Sequence, residues 1–359
     1  MKITFDNKKA ILEQAEAFLR SGELNQARDL LEKLHRDDKN DNEVLFDYGT
    51  LSLLEADFET ADHYFDQCLK NGYERGKVYH NAAIAKEKLG NIVKAEKYFS
   101  KACEDSSDER ETEYLISLFN FYIRIHNFDS ADDVSRRYIE MFSQEYQGHH
   151  MLYLACVHKK EYSKAEDHFI EIRDTFEEDP DYWLDRLYCL FLDGKFSIIL
   201  EMIDNEPIIM QTNPNDALRI KIRILLMRKN YAKAEECINK LFDLSKTADT
   251  IFFMMLLEIS KENYVSANKM ANNIIKMEVS NPGLFYYLTL YMQSSILYLG
   301  FNRKLPDDIL EYIVDALNIC VGWFVDFCNS RSDMEDLLDE IKSTLSFYEE
   351  MQEQRRNKE

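Results

Sequence analysis

An alanine returns along this chain at nearly constant spacing: Ala27, Ala61, Ala95, Ala131, Ala165, Ala234 and Ala267. Four successive intervals are 34, 34, 36 and 34 residues, and the last is 33. The remaining gap of 69 holds one more unit, whose equivalent position is Ile199. A fixed period near 34 means one supersecondary unit copied about eight times. Such a chain is quasi-one-dimensional: its core grows lengthwise, so 359 residues need not divide into separate globular domains. It also acts through an extended surface more readily than through one enclosed pocket.

The neighbours of the alanine recur with it. Three residues earlier stands a large apolar side chain: Leu24, Phe58, Ile92, Phe128, Tyr162, Phe196, Tyr231 or Tyr264. Four residues later stands another, as in Leu31, Phe65, Phe99, Phe169 and, in the Ile199 unit, Ile203. Offsets of three and four place these side chains on one helical stripe. A short polar turn precedes it, for example Ser21-Gly22-Glu23 or Asp193-Gly194-Lys195, and before the turn lies a second helical pattern such as Tyr114-Leu115-Leu118-Phe119-Tyr122. Each unit therefore reads helix A, turn, helix B, with the small residue letting helix B approach helix A closely.

On these residues the chain resembles the tetratricopeptide repeat (TPR) family, whose signature is Leu-Gly and Tyr on helix A, then Ala and Phe on helix B. The second unit carries Leu45, Tyr48-Gly49, Ala61 and Phe65; the third Tyr79, Ala82-Ala83, Ala95 and Phe99; the fifth Leu152, Ala165 and Phe169. The likeness covers roughly residues 8–280. It departs from the family where the small helix A position becomes Phe119, Tyr153, Leu187, Ile222 and Met255, and where most units lack the closing proline. The resemblance implies an all-α, right-handed α-solenoid of about eight TPR-like helix-turn-helix repeats. The expected division is a repeat array over 8–282, C-terminal closing and capping helices over 283–353, and a polar tail over 354–359. Beyond Pro282 the period fails. Leu284–Leu299 reads as an aromatic-rich helix, and Pro306-Asp307-Asp308 and Ser332-Asp333 each offer a helix start. Capping is the main reading of these helices; the alternative is a homodimer contact through Trp323, Phe324 and Phe327.

Composition excludes several functions. Net charge is −22, so a polyanionic nucleic acid meets repulsion over most of the surface. Acid clusters such as Glu104-Asp105 and Glu177-Glu178-Asp179 read as solvated turns, with attraction for a basic partner segment as the sharper alternative. The seven cysteines form no CxxC pair and most lie on apolar stripes, as reduced core thiols of a cytoplasmic protein would. Met1-Lys2-Ile3-Thr4-Phe5-Asp6 lacks the long apolar run of a signal peptide, and Ile251–Ile259 and Leu284–Leu299 are too short or too polar to span a bilayer. The eight histidines show no HExxH, and no GxxxxGK[ST], GxGxxG or GxSxG occurs, so neither a cofactor nor a metal is expected and the chain reads as no enzyme.

In TPR proteins the inner groove is lined by the second, fifth, ninth and twelfth places of helix A. Carried onto this chain, and with their near neighbours, those places give Lys77, His80 and Asn81 in the third unit, Asn120 and Arg124 in the fourth, and His150 in the fifth. They give Leu184, Tyr188 and Phe191 in the sixth unit and Arg219 and Arg223 in the seventh. Cations inside so negative a molecule suit acidic groups of a peptide, or else pair with neighbouring acids. The carboxylate clamp for a Glu-Glu-Val-Asp tail is disfavoured: its places fall on Phe46, Thr50, Asn81, Glu113 and Ser117, and only Asn81 fits. The expected function is a protein–protein interaction scaffold or adaptor holding a peptide or partner protein along the groove. The alternatives are a peptide-sensing regulator and a non-catalytic subunit of an enzyme complex.

Overall fold

The structure is a computed structural model that describes residues 5–105 and 110–261, with Asn263, Ser266, Ala267 and Met270. Its described residues form sixteen helices and no strand. The chain divides into two compact units, residues 1–185 and 186–359, each considered by itself. The first unit contains α1 (Phe5–Ser21), α2 (Leu24–Asp37), α3 (Asn42–Leu54), α4 (Phe58–Lys70), α5 (Gly76–Lys88), α6 (Ile92–Ala102), α7 (Glu111–Arg124), α8 (Phe128–Met141), α9 (Tyr146–Lys159), α10 (Tyr162–Phe176) and the start of α11 (Pro180–Leu192). The second contains the rest of α11, α12 (Phe196–Asn205), α13 (Pro207–Thr212), α14 (Pro214–Met227), α15 (Tyr231–Leu244) and α16 (Ala248–Ser260). The closing helices and tail expected over 283–359, and with them Cys320, Cys328 and the Trp323 surface, lie outside the described residues.

Helices pair in sequence as hairpins, and every periodic alanine is buried, as is Ile199. Gly49 shows why a small residue is needed: a Cβ built there would lie 2.5 Å from the Phe65 ring. Helix A and helix B of that hairpin thus meet backbone to ring. Phe119, Tyr153, Leu187, Ile222 and Met255, which replace the small residue later in the chain, are buried too. In the fourth hairpin the bulk has changed sides: Phe119 on helix A goes with a buried Ser135 where Phe65 and Phe99 stand on helix B. The hairpin survives because the two positions share one volume.

The turn is built the same way seven times. Its central residue has a left-handed backbone: Gly22, Ala56, Gly90, His126, Lys160, Gly194 and Lys229, with φ between 56° and 78°. The amide of the following residue then donates to the carbonyl five residues before it, at 2.8–2.9 Å, as in Asp57 to Ser52 and Asn91 to Lys86. This closure satisfies carbonyls that helix A leaves without partners. Where the following residue is Asp or Asn (Asp57, Asn91, Asn127, Asn230), its side chain also caps helix B by accepting from an amide three residues on. One residue therefore ends one helix and begins the next. The sixth hairpin differs in its second helix, which stops at Glu206 because Pro207 has no N–H to continue it. Pro207 instead opens the short α13, which the alanine period does not announce.

Aromatic side chains dominate one core cluster of the first unit, and aliphatic ones the core of the second. In the first unit Tyr79, Phe99, Tyr114, Phe119, Phe121 and Tyr138 share one cluster, and in the second Leu218, Ile222, Ile238, Leu241 and Phe253 share another. Five cysteines, Cys68, Cys103, Cys156, Cys189 and Cys237, are buried free thiols. No helix among the described residues is long and apolar enough to cross a membrane.

Gly49→Val is expected to cost about 1–3 kcal/mol in urea unfolding, since its methyls meet the Phe65 ring. Combined with Phe65→Leu it should cost less than the two single changes together, because the smaller side chain vacates the contested space. In the turns, Ala56→Gly should stabilise by roughly 0.5–1 kcal/mol and Gly90→Ala should destabilise by about as much, measured the same way, because only glycine occupies the left-handed region without cost.

Candidate functional site

The first helices of successive hairpins face one another, and polar side chains bridge them. Most of these residues interrupt an apolar helix at one recurring place, just after the fifth of each unit: Asp47 in α3, Asn81 in α5, Ser117 in α7 and Asp185 in α11. An isolated polar residue in such a setting needs a partner, and helix A of the adjoining hairpin is the nearest supplier.

In the first unit this produces a directed chain of hydrogen bonds across three helices. Asn81 Nδ2 donates to Thr50 Oγ1 at 3.2 Å, and the Thr50 hydroxyl donates to the Phe46 carbonyl at 3.0 Å. The Asn81 Oδ1 is then free to accept from His80 Nδ1 at 3.1 Å, which leaves His80 Nε2 to accept from the Ser117 hydroxyl at 2.9 Å. His80 is itself buried against Phe99 and Tyr114, so it orients Asn81 and ties α5 to α7. Lys77 places its ammonium 4.4 Å from the centre of the Phe46 ring, a cation–π contact between α5 and α3. Arg124 forms a two-pronged ion pair with Glu87, at 2.6 and 2.8 Å, between α7 and α5. The Arg124 side chain keeps 51 % of its surface in solvent. Asn120, one turn earlier on α7, is exposed.

Asp47 lies on this seam without satisfaction. It is buried, and its Oδ2 has no hydrogen-bond partner. Burial pushes its carboxyl up to about 7; Glu16 of α1 adds to the rise, and Lys77 opposes it. At the far end of the unit, Asp185 is buried but doubly satisfied, accepting from Tyr146 Oη at 2.9 Å and from His150 Nδ1 at 2.6 Å. The hydrogen bond to Asp185 raises the His150 ring above its ordinary range. Its neighbour His149 behaves oppositely. Buried beside Phe176 and 2.8 Å from His168 Nε2, it is held down to about 4 by desolvation first and by His168 second. Two adjacent histidines are thus shifted in opposite directions, because one is hydrogen-bonded to a carboxylate and the other is desolvated beside an imidazole.

Leu184 closes the described face of the first unit as a half-buried side chain. In the second unit, Tyr188 on α11 is half-buried; burial raises its hydroxyl, with Asp216 adding to the effect and Arg223 and Arg219 opposing it, so it looks toward α14. Arg219 Nη1 lies 3.1 Å from Asp216 Oδ1, and the Arg223 guanidinium 5.9 Å from the centre of the Phe253 ring. Phe191 packs toward the turn, its ring 5.5 Å from Phe196. Lys77, His80 and Asn81 are therefore brought together, as are Tyr188, Arg219 and Arg223. Arg124, His150 and Phe191 are held by residues outside those two groups. Asp47, Asp185 and Asp216 organise the face although groove spacing does not single out the first two; the signal that finds them is a carboxylate flanked by apolar residues inside helix A. Among the described residues no group of three or more His, Cys, Asp or Glu is placed to hold a metal ion.

A period-34 hairpin, a left-handed residue at one fixed place in every turn, and polar contacts passed from one helix A to the next are together decisive. The described residues have a TPR-like fold of paired helices. No family model and no curated protein matches its sequence. Among solved structures it is similar to a tetratricopeptide repeat protein from Parabacteroides merdae, at 16% identity over 80% of this chain and 99% of that one, with a TM-score of 0.47. It is similar also to the C-terminal part of a TPR repeat-containing protein from Cytophaga hutchinsonii (13% identity, 77% and 99% covered, TM-score 0.46). A third is YrrB, described as a TPR protein with an unusual peptide-binding site (15% identity, 53% and 97% covered, TM-score 0.39). The TPR-like character of this chain rests on its own turns and packing.

The buried Asp47 gives a pH signature. Its folded value, about 7, lies above the ordinary 3.8, so the fold favours the protonated form. The fold bears no penalty below the ordinary value; stability is lost as pH rises from there through 7 and stays lost above it. Asp47→Asn should therefore raise the unfolding free energy by about 2–4 kcal/mol at pH 8 and change it little at pH 4, measured by urea titration at both.

Proposed function

We propose that the TPR-like array is a non-enzymatic scaffold that binds a peptide segment or partner protein along the face presented by its first helices. The observation that carries this reading is the condition of the cations there. Lys77 rests on an aromatic ring, and Arg124 holds Glu87 while half in solvent. Surface pairs of this kind are worth little and exchange readily for a ligand carboxylate. Asn81 and Asn120 supply amide donors and acceptors for an extended backbone, and Leu184, Tyr188 and Phe191 offer apolar surface for its side chains. In the second unit Arg219 and Arg223 carry the same chemistry on α14, and in the first His80 and His150 hold their neighbours in place. Five buried free thiols suit a reducing compartment, and we place the protein in the cytoplasm on that ground.

The test replaces Arg124, Arg219 and Arg223 together with Gln, which removes the charges without setting Glu87 and Asp216 against new carboxylates. Tagged wild type and variant are then used for quantitative affinity purification from native lysate. Each charge-assisted hydrogen bond lost is worth about 1.5–3 kcal/mol, so specific partners should fall roughly tenfold or more while the helical circular dichroism stays unchanged. Recovery of the same partners in wild-type amounts would sink the groove reading.

A further inference from the structure

One stretch of surface runs against the charge of the molecule. Residues 88–101, from the end of α5 through α6, hold four lysines and a single acid in a chain of net charge −22. That acid, Glu96, is half-buried and accepts a hydrogen bond from Tyr122 Oη at 3.0 Å. The exposed positions of α6 are Ile92, Val93, Lys94 and Lys97; Val93 is 79 % exposed and Ile92 36 %. Leu89, in the turn just before, is exposed as well. By contrast α2, α4, α8 and α10, the other second helices of the first unit, each expose at least one acid: Asp29, Glu59, Asp133 and Asp167.

Three of the four lysines hold no acid: Lys101 alone of them is engaged, by Tyr79. Neighbouring cations are occupied: Lys86 holds Asp62 and Asp66, Arg124 holds Glu87, and Lys101, the last lysine of the stretch, donates to Tyr79 Oη at 3.1 Å. The ammonium groups of Lys88, Lys94 and Lys97 meet no carboxylate within ion-pair distance among the described residues. Offsets of three and four place Lys94, Lys97 and Lys101 beside Val93 on one helical face, where like charges repel. An arriving carboxylate removes that repulsion, and an aliphatic side chain removes Val93, Ile92 and Leu89 from water.

We infer that the outer face of α6, with the turn before it, docks an acidic segment of a partner protein in which carboxylates alternate with aliphatic side chains. The overall negative charge sets this apart from an anionic membrane surface, which would repel the rest of the molecule, whereas a short segment feels only the local field within a Debye length. Exposed aliphatic residues likewise favour a polypeptide over a nucleic acid backbone. The surface is separate from the first-helix face, so either can fail without the other.

The experiment measures fluorescence anisotropy of the full chain with a fluorescein-labelled peptide of alternating glutamate and leucine, beside glutamate–serine and lysine–leucine peptides. The glutamate–leucine peptide should bind best and weaken as salt is raised. Lys94→Glu with Lys97→Glu should reduce its affinity at least tenfold, Val93→Ser should reduce it a few-fold, and Lys233→Glu on α15 should leave it unchanged. Because every altered position in α6 is exposed, circular dichroism should match wild type; Lys94→Gln with Lys97→Gln, which adds no acid, should show the same loss in smaller degree. Equal affinity in the double variant, no binding of the glutamate–leucine peptide, or retention of the chain by phosphatidylserine vesicles in its place would each overturn the assignment. The Gln substitutions at Arg124, Arg219 and Arg223 should not alter this binding.

Discussion

Each hairpin depends on one close approach. Helix B crosses helix A where a ring such as Phe65 meets the backbone at Gly49, and in every described unit both positions of that crossing are buried. The turn supports it from the other side: its left-handed residue reverses the chain in the fewest steps and still satisfies the carbonyls at the end of helix A. Four turns accept Ala56, His126, Lys160 or Lys229 in that conformation, so the hairpin geometry outweighs a local cost of about 1 kcal/mol at each.

Apolar packing joins helices both within and between hairpins, and polar contacts add links from one helix A to the next. The run from Ser117 through His80 and Asn81 to Thr50 has a single direction, since the Asn81 amide can donate at only one end. Asp185 completes a similar link with Tyr146 and His150, whereas Asp47, with Glu16 of α1 near it, leaves its Oδ2 without a partner. The same position is therefore a source of register in one hairpin and of strain in another. The strain lies on the face proposed to receive a ligand, where a cation brought near would favour the ionised carboxylate.

The charge excess is likewise arranged locally. Lys86 is buried between Asp62 and Asp66, and Asp132 gathers Arg136, Lys159 and Lys164, so many acids are neutralised within the repeat array itself. Against that background the acid-free exposed face of α6 stands out, a contrast that the overall net charge conceals.

The alanine period contained the hairpins because a buried helix crossing imposes a residue size, and residue size is written directly in the sequence. The boundaries of helix A and helix B, the burial of Ala27 through Ala267 and the apolar cores follow from it. Three things were legible only once the helices were packed. Phe119, a departure from the pattern in one dimension, keeps the crossing through the small Ser135 on the opposite helix. Pro207 splits the sixth helix B without disturbing the spacing. His80 and His150, equivalent by position, differ in fate, because burial and the partner across the seam decide what a side chain does, and that partner lies some thirty-five residues away in the chain. Periodicity determines which residues turn inward; only contact between distant segments decides how each buried polar group is satisfied.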